Sequence, residues 1–346
     1  MSKKISLIVV IVVVVIIGIS LSINSKSDVK EDGNTNNHQE NMNPKLEIKN
    51  TDNFEQAFSN INLNTNTSIR SIDIDEVLGG GPPKDGIPAI RNPKFISISE
   101  ALKIEDGEKQ GVAVTAGNTT RFYPYSVLVW HEIVNDEIEG IPILVTFCPL
   151  CGSAIVFDPT VDGKALEFGV SGKLWESNLL MYDSKDESLW SQSIGEAVVG
   201  NQTGKTLDIY PSQLISFSEF KDKYPNGEVL SRDTGYSRNY NLYPYGDYGE
   251  NNQLIFPVSI NDTRLPSKEI MYIVNFEDKS AAFQRSKLIK SGGVSMQVNN
   301  STLVAEISGS EIIIKNSKDG NIIPGYHEMW FSWATHHQED GILWSS

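Results

Sequence analysis

From about residue 68 onward, Val, Ile and Phe gather in short runs interrupted by Gly, Asn, Asp or Pro. Runs of this length and punctuation suit strands joined by tight turns; a helix needs a longer apolar stripe. The predicted strands are 112–116, 143–147, 154–157, 165–170, 179–182, 197–199, 270–274, 294–298, 303–307 and 311–315. Helices are expected in few places. One is 98–102, capped by Ser97 or Ser99, and another is 216–223, which carries Phe217 and Phe220 and stops at Pro225. Pro124 suits the first turn of a shorter helix over 123–129, although its Val residues do not favour one. The expected fold class is mainly β (α+β), one large β-rich domain over 68–346 with a few short helices. No internal linker or repeat is apparent in it.

Disulfides do not hold this domain together. Cys148 and Cys151 are the only cysteines, and a bridge between them would span two residues and remove little chain entropy. Stability must come from an ordinary apolar core, for which the chain is long enough.

The N-terminal part reads differently. After Lys3 and Lys4 comes an uncharged, Val- and Ile-rich stretch over 5–22, the length of a transmembrane signal anchor. The two lysines favour a cytoplasmic end over 1–4, which places the main domain outside the cytoplasm; the alternative is a secreted protein after signal cleavage. No cysteine near the end of the stretch could carry a lipid. Residues 23–67, rich in Asn, Asp, Glu, Lys and Ser, read as a disordered tether, with a short helix over 52–59 from Phe54, Ala57 and Phe58. The membrane, met through the N-terminal helix, is therefore one expected partner. A net charge of −15 argues against nucleic acid as another. Sequons begin at Asn66, Asn118, Asn201, Asn261, Asn299 and Asn300, compatible with an exterior location.

The chemistry centres on Thr146-Phe-Cys-Pro-Leu-Cys-Gly-Ser-Ala154. Two thiols at this spacing can form a small disulfide ring, exchange electrons with another thiol pair, or hold a soft metal ion. The pair lies between two predicted strands, so the helix dipole that activates a thioredoxin-type cysteine is not expected. As a redox pair, Cys148 would attack, Cys151 would resolve the mixed disulfide, and His131 would serve as base. The partner would be a thiol redox partner or a small-molecule substrate, and the sequence names no cofactor for this reading. As a metal site, Cys148 and Cys151 would hold copper or zinc with one or two of His131, His327 and His336. The plainer readings stand beside these. His131 can bond a backbone carbonyl in a partly buried turn. If 327–337 is helical, His327, Trp330, Phe331 and Ala334 share one face, while His336 and His337 suit its negative pole. A third functional class is a structural or interaction module.

Other runs carry weaker signals. Phe168-Gly-Val-Ser-Gly-Lys-Leu174 lacks the spacing of a phosphate loop, so Gly169 and Gly172 instead mark a bulge or a close backbone approach. Arg121, Asp183, Trp190, Gln192 and Arg232 could line a pocket or serve as ion pairs and packing. Residues 236–248 form an aromatic, turn-rich loop.

Taken in order, several runs carry a family resemblance. They are Gly79-Gly-Gly-Pro-Pro-Lys-Asp-Gly-Ile-Pro88, Arg121-Phe-Tyr-Pro124, His131-Glu-Ile-Val-Asn-Asp136 and the two-cysteine run. Then come the 168–174 run, Ser177-Asn-Leu-Leu-Met-Tyr-Asp183, Ser188-Leu-Trp-Ser-Gln192 and Val229-Leu-Ser-Arg-Asp-Thr-Gly235. Over about 75–340 the chain resembles the domain of unknown function 3179 family. The resemblance implies a shared architecture rather than a reaction. Some relatives are selenoproteins with selenocysteine at a thiol position of the motif, which implies chemistry at sulfur.

Overall fold

The computed structural model describes residues 63–344. The expected cytoplasmic end, signal anchor and short helix over 52–59, and most of the tether, lie outside them. Among the described residues, no helix is long and apolar enough to cross a membrane. Sheets dominate and the helices are short, in agreement with the expected class.

The strands fall into two matching sets. In the first, β1 (Gln110–Ala116) and β2 (Thr119–Pro124) form a hairpin followed by α1 (Tyr125–His131). A meander of β3 (Ile133–Ile138), β4 (Ile141–Cys148) and β5 (Ser153–Asp158) comes next. A second four-stranded meander is then inserted, comprising β6 (Phe168–Trp175), β7 (Asn178–Asp183), β8 (Leu189–Ser191) and β9 (Glu196–Val199). The first set closes with β10 (Ser212–Ser216), α2 (Phe217–Lys223) and β11 (Glu228–Leu230).

The second set repeats this order with nearly the same lengths. It runs β12 (Ile270–Phe276), β13 (Lys279–Gln284), α3 (Arg285–Ser291), β14 (Gly293–Val298), β15 (Ser301–Ser308) and β16 (Glu311–Asn316). It ends with β17 (Gly325–Met329), α4 (Trp330–His336) and β18 (Gly341–Trp344). Registers match too: β10 pairs β1 with Ile215 opposite Gly111, and β17 pairs β12 with Glu328 opposite Met271. In each set the last strand runs parallel to the second. The domain is thus an internal duplication, which corrects the expectation that no repeat is present. The duplication keeps element lengths and strand order while side chains diverge, and residues 159–211 split the first copy.

The copies join through one sheet, in the order β18-β13-β12-β17-β5-β4-β3. Its seam is β17 against β5, where His327 pairs with Ala154 and the Met329 N–H donates to the Cys151 carbonyl at 2.8 Å. The copies differ where it matters most. Between β15 and β16 stand only Gly309 and Ser310, whereas Pro149, Leu150, Cys151 and Gly152 link β4 to β5. The two-cysteine motif is a lengthened hairpin turn.

Most predicted elements form. Ser97 and Ser216 cap their helices with full capping boxes, and the weaker expected helix appears as α1. Two expectations change. The run 165–170 divides into Lys164–Ala165 and β6, with a register shift between Val170 and Lys173. There the Gly80 N–H donates to the Gly172 carbonyl at 2.8 Å, so both a bulge and a close approach are present. In the C-terminal run only Trp330–His336 is helical. His327 lies on β17, because its side chain continues the strand's alternation beside Tyr272.

The duplication makes a stability prediction. Ile215 and Glu328 occupy equivalent positions, but Ile215 packs among Ala113, Phe122, Phe217, Phe220 and Val229. Ile215→Glu should therefore cost on the order of 3 kcal/mol or more, as an unpaired buried carboxyl. A urea midpoint no lower than that of the native protein would contradict the assignment.

Candidate functional site

Both cysteines are free thiols, and at 1% and 0% relative exposure neither meets solvent. Cys148 ends β4 and Cys151 sits in the turn, whose Cys151 N–H donates to the Cys148 carbonyl at 3.2 Å. Gly152 takes φ +55°, and a Cβ there would meet the Met329 side chain at 3.0 Å. This close approach is how the turn fits against β17.

The two thiols have unlike surroundings. Burial alone would push Cys148 up. The neighbouring Cys151 side chain and the backbone at Leu179, Cys151 and Leu150 oppose this, and together they hold it below its ordinary value. Cys151 is pushed well up, first by burial, then by the Cys148 sulfur and the Glu328 carboxyl, with the Ser332 hydroxyl opposing. The Cys151 thiol donates to the Ser177 carbonyl at 3.3 Å, and its sulfur accepts from Asn178 Nδ2 at 3.4 Å.

A polar network surrounds Cys151. Gln192 Oε1 accepts from Ser153 Oγ at 2.7 Å and from Asn178 Nδ2 at 3.0 Å, while its Nε2 donates to Thr146 Oγ1 at 3.0 Å. Glu328 Oε1 accepts from Ser193 Oγ and Ser332 Oγ, both at 2.6 Å, and Oε2 is buried without a partner. Burial raises the Glu328 carboxyl to about 7 against the pull of the two serines and His337. On the Cys148 side, Glu132 is buried and held well above the carboxylate range, by burial first and then by Cys148. Its φ of +57° is strained for a residue with a Cβ, and its counterpart in the second copy is Gly292 at φ +70°.

The structure does not gather the expected histidines around the thiols. His131 Nδ1 lies 2.7 Å from the Pro88 carbonyl and Nε2 lies 2.8 Å from Tyr240 Oη, so the plainer reading describes its contacts. Burial lowers its pKa, and no histidine is among the main influences on either thiol. His327 Nε2 accepts from Arg285 Nε at 3.1 Å, and His336 Nδ1 lies 2.8 Å from the Ser332 carbonyl. Among the described residues, no three His, Cys, Asp or Glu side chains are placed to share a metal ion.

The other residues singled out separate clearly. Arg121 is a structural ion-pair centre, 2.8 Å from Asp136 and 2.9 Å from Glu228. Arg232 pairs with Glu105 at 2.8 Å, and Asp183 accepts from Trp190 Nε1 at 2.8 Å. Gln192 alone of this group reaches the thiols' surroundings. Sequence reasoning missed Glu328 and Ser332. Their signal was a charged residue at an inward position of an apolar strand, four residues ahead of a serine.

The segment 231–269 covers the site with almost no regular structure. Tyr248 Oη donates to the Leu150 carbonyl at 2.9 Å, Trp130 Nε1 donates to the Leu242 carbonyl at 3.2 Å, and Lys268 Nζ holds the Tyr248 carbonyl. Beside the turn lies a cavity of about 480 Å³, lined in part by Tyr125, Phe147, Pro149, Gly152, Tyr243 and His327. That is room for a small molecule.

A family model described as "Protein of unknown function (DUF3179)" matches residues 84–321. No curated protein and no solved structure matches the chain.

Gln192 should be structurally costly to lose. Gln192→Leu leaves Ser153 Oγ unpaired at about 1–3 kcal/mol and removes one of two partners from Asn178 Nδ2 and Thr146 Oγ1, which keep Cys151 Sγ and the Ile155 carbonyl. A total loss of roughly 2–4 kcal/mol is expected in urea unfolding; an unchanged midpoint would contradict the network.

Proposed function

Starting from a chain that belongs to the DUF3179 family, whose description assigns no reaction, we propose that it is a thiol–disulfide oxidoreductase working through Cys148 and Cys151. The observation that carries this reading is a pair of buried free thiols at one hairpin turn whose surroundings act in opposite directions, the backbone around Cys148 holding it below the ordinary thiol value while Cys151 is pushed well above it. A backbone environment of this kind stabilises a thiolate without a helix dipole or a metal.

The reaction then runs as a two-step exchange. The Cys148 thiolate attacks a disulfide RS–SR, forming Cys148–S–SR and releasing one RS⁻, which takes a proton from solvent. Cys151 loses its proton and attacks the Cys148 sulfur. The Cys148–Cys151 bond forms and the second RS⁻ leaves. One disulfide is reduced to two thiols while the pair is oxidised to a ring, and the reverse sequence oxidises a dithiol. His131, held by Pro88 and Tyr240, is not needed as the base. The apolar 5–22 segment supports a membrane-tethered domain facing an oxidising exterior, where such exchange is useful.

Burial of both sulfurs makes access part of the mechanism. Segment 231–269 must shift before a disulfide reaches Cys148, and the Tyr248–Leu150 hydrogen bond resists that shift. Tyr248→Phe should raise the alkylation rate of Cys148 several-fold, by analogy with losing about 1 kcal/mol of closing energy. A rate equal to the native one would show that the segment does not gate the site.

The direct test is redox titration of the native protein with thiol trapping and mass spectrometry. The pair should pass reversibly between dithiol and ring, and Cys151→Ser should trap a mixed disulfide at Cys148. A pair locked in one state across the accessible range of potential would end the proposal.

A further inference from the structure

Cys151 must give up a proton inside a sealed core, and none of the groups described so far has been assigned to take it. The structure offers one route. Ser332 stands near enough to the Cys151 thiol to favour its thiolate, on a segment whose Met329 N–H donates to the Cys151 carbonyl at 2.8 Å, and Ser332 Oγ and Ser193 Oγ each donate to Glu328 Oε1 at 2.6 Å. The route runs from Cys151 Sγ by way of Ser332 Oγ to Glu328 Oε1.

The duplication shows that the fold does not require these residues. The position of Glu328 is filled in the first copy by Ile215, a core residue suited to an inward strand position. The position of Ser332 is filled by Glu219, which closes the helix-capping box with Ser216. A carboxyl with one oxygen buried and unpartnered, at a site that accepts an aliphatic residue, is a cost that packing does not explain. Both replacements occur in the copy facing the cysteines, and the hairpin turn opposite the first copy's Ile215 carries no thiol.

We infer that Glu328 is the proton acceptor for Cys151, acting through Ser332, so that β17 and α4 of the second copy complete a thiol site built on a turn of the first. This rests on the thiol–disulfide reading. In the resting pair the Cys151 thiol donates to the Ser177 carbonyl at 3.3 Å, and the neighbouring Cys148 thiolate disfavours loss of that proton. Once Cys148 is in a mixed disulfide it loses that charge, and the proton turns to Ser332 Oγ as the Ser332 proton passes to Glu328. The Cys151 thiolate then displaces RS⁻ from the Cys148 sulfur. In the reverse direction Cys151 leaves as a thiolate and takes the proton back. Glu328 does not touch the reacting sulfur; it is a positioning and proton-holding residue. The other titratable groups facing it are Cys151 from the turn, Tyr326 on its own strand, and His337, which is paired with Asp340 at 3.0 Å, beyond α4. Glu132 faces Cys148 instead.

The test uses the full-length native protein and 5,5′-dithiobis(2-nitrobenzoate), an aryl disulfide that releases one coloured thiolate on attack by Cys148 and a second on ring closure. In the native protein the ring-closure rate should rise with pH through about 7, because only the carboxylate form of Glu328 accepts a proton. Glu328→Gln should slow ring closure on the order of 100-fold at pH 7, remove that inflection, and recover as pH rises toward direct ionisation of Cys151. Ser332→Ala should do the same with Glu328 in place, which keeps the test decisive if Glu328→Gln fails to fold. The first release should be nearly unchanged in both. Ring closure with a native pH profile in the folded variants overturns the inference while leaving the thiol reading intact. No second release from the native protein overturns both.

Discussion

The contact on which the site depends is the seam between the two copies, β17 laid against β5. Only His327 and Ala154 pair across it as strands, reinforced by the Met329 N–H on the Cys151 carbonyl. The two-cysteine turn and Glu328 lie within a few residues of that line. The two-cysteine turn projects from the first copy, and Glu328 and Ser332 come from the second. Gly152 lets the turn approach Met329, since a side chain there would collide with it. A sheet continuous across two copies holds a turn far more firmly than a loop could, because backbone hydrogen bonds fix it on both sides.

That rigidity has a cost in buried polarity. Cys151, Asn178, Gln192, Ser193, Glu328 and Ser332 are withdrawn from water together, and such a network is tolerable only when its members satisfy one another. Most do. Glu328 Oε2, Ser177 Oγ and Ser191 Oγ have no partner, each a debt of about 1–3 kcal/mol. Beside them sits Glu132, whose φ of +57° would suit glycine. The large apolar clusters on both faces of the sheet supply the stability that tolerates them.

The sequence made the strands legible because each is a short apolar run closed by a turn residue. The helices at Ile98–Ala101 and Phe217–Lys223 were legible through their serine caps. The duplication was not. Corresponding elements share length and inward-outward alternation but few residue types: β2 carries Arg121-Phe-Tyr where β13 carries Ala281-Ala-Phe. Residues 159–211 also separate β10 from its meander, so no constant period runs along the chain. The thiols were found at once, as the only cysteines. Their partners were not, because the seam joins positions far apart in sequence, and Glu328 looks unremarkable beside two histidines in His327-Glu-Met-Trp. Those histidines drew attention by residue type, yet their ring nitrogens bond Arg285 and the Ser332 carbonyl.

Duplicated folds contain their own control. Where both copies hold the same kind of residue, packing is sufficient reason: Phe217 and Trp330 each start a helix and each is fully buried. Where the copies differ, the fold has shown that it accepts either choice, and the costlier one calls for another cause. Gly292 against Glu132, Ile215 against Glu328, and a two-residue turn against the cysteine turn are three such differences. All three converge on Cys148 and Cys151, one from each flank and one carrying the thiols. Another difference, Arg121 paired with Asp136 where the second copy has Ala281, is satisfied by an ion pair, whereas Glu328 keeps an unpartnered oxygen. The concentration of the three at one seam is the pattern that the proposed thiol chemistry would leave.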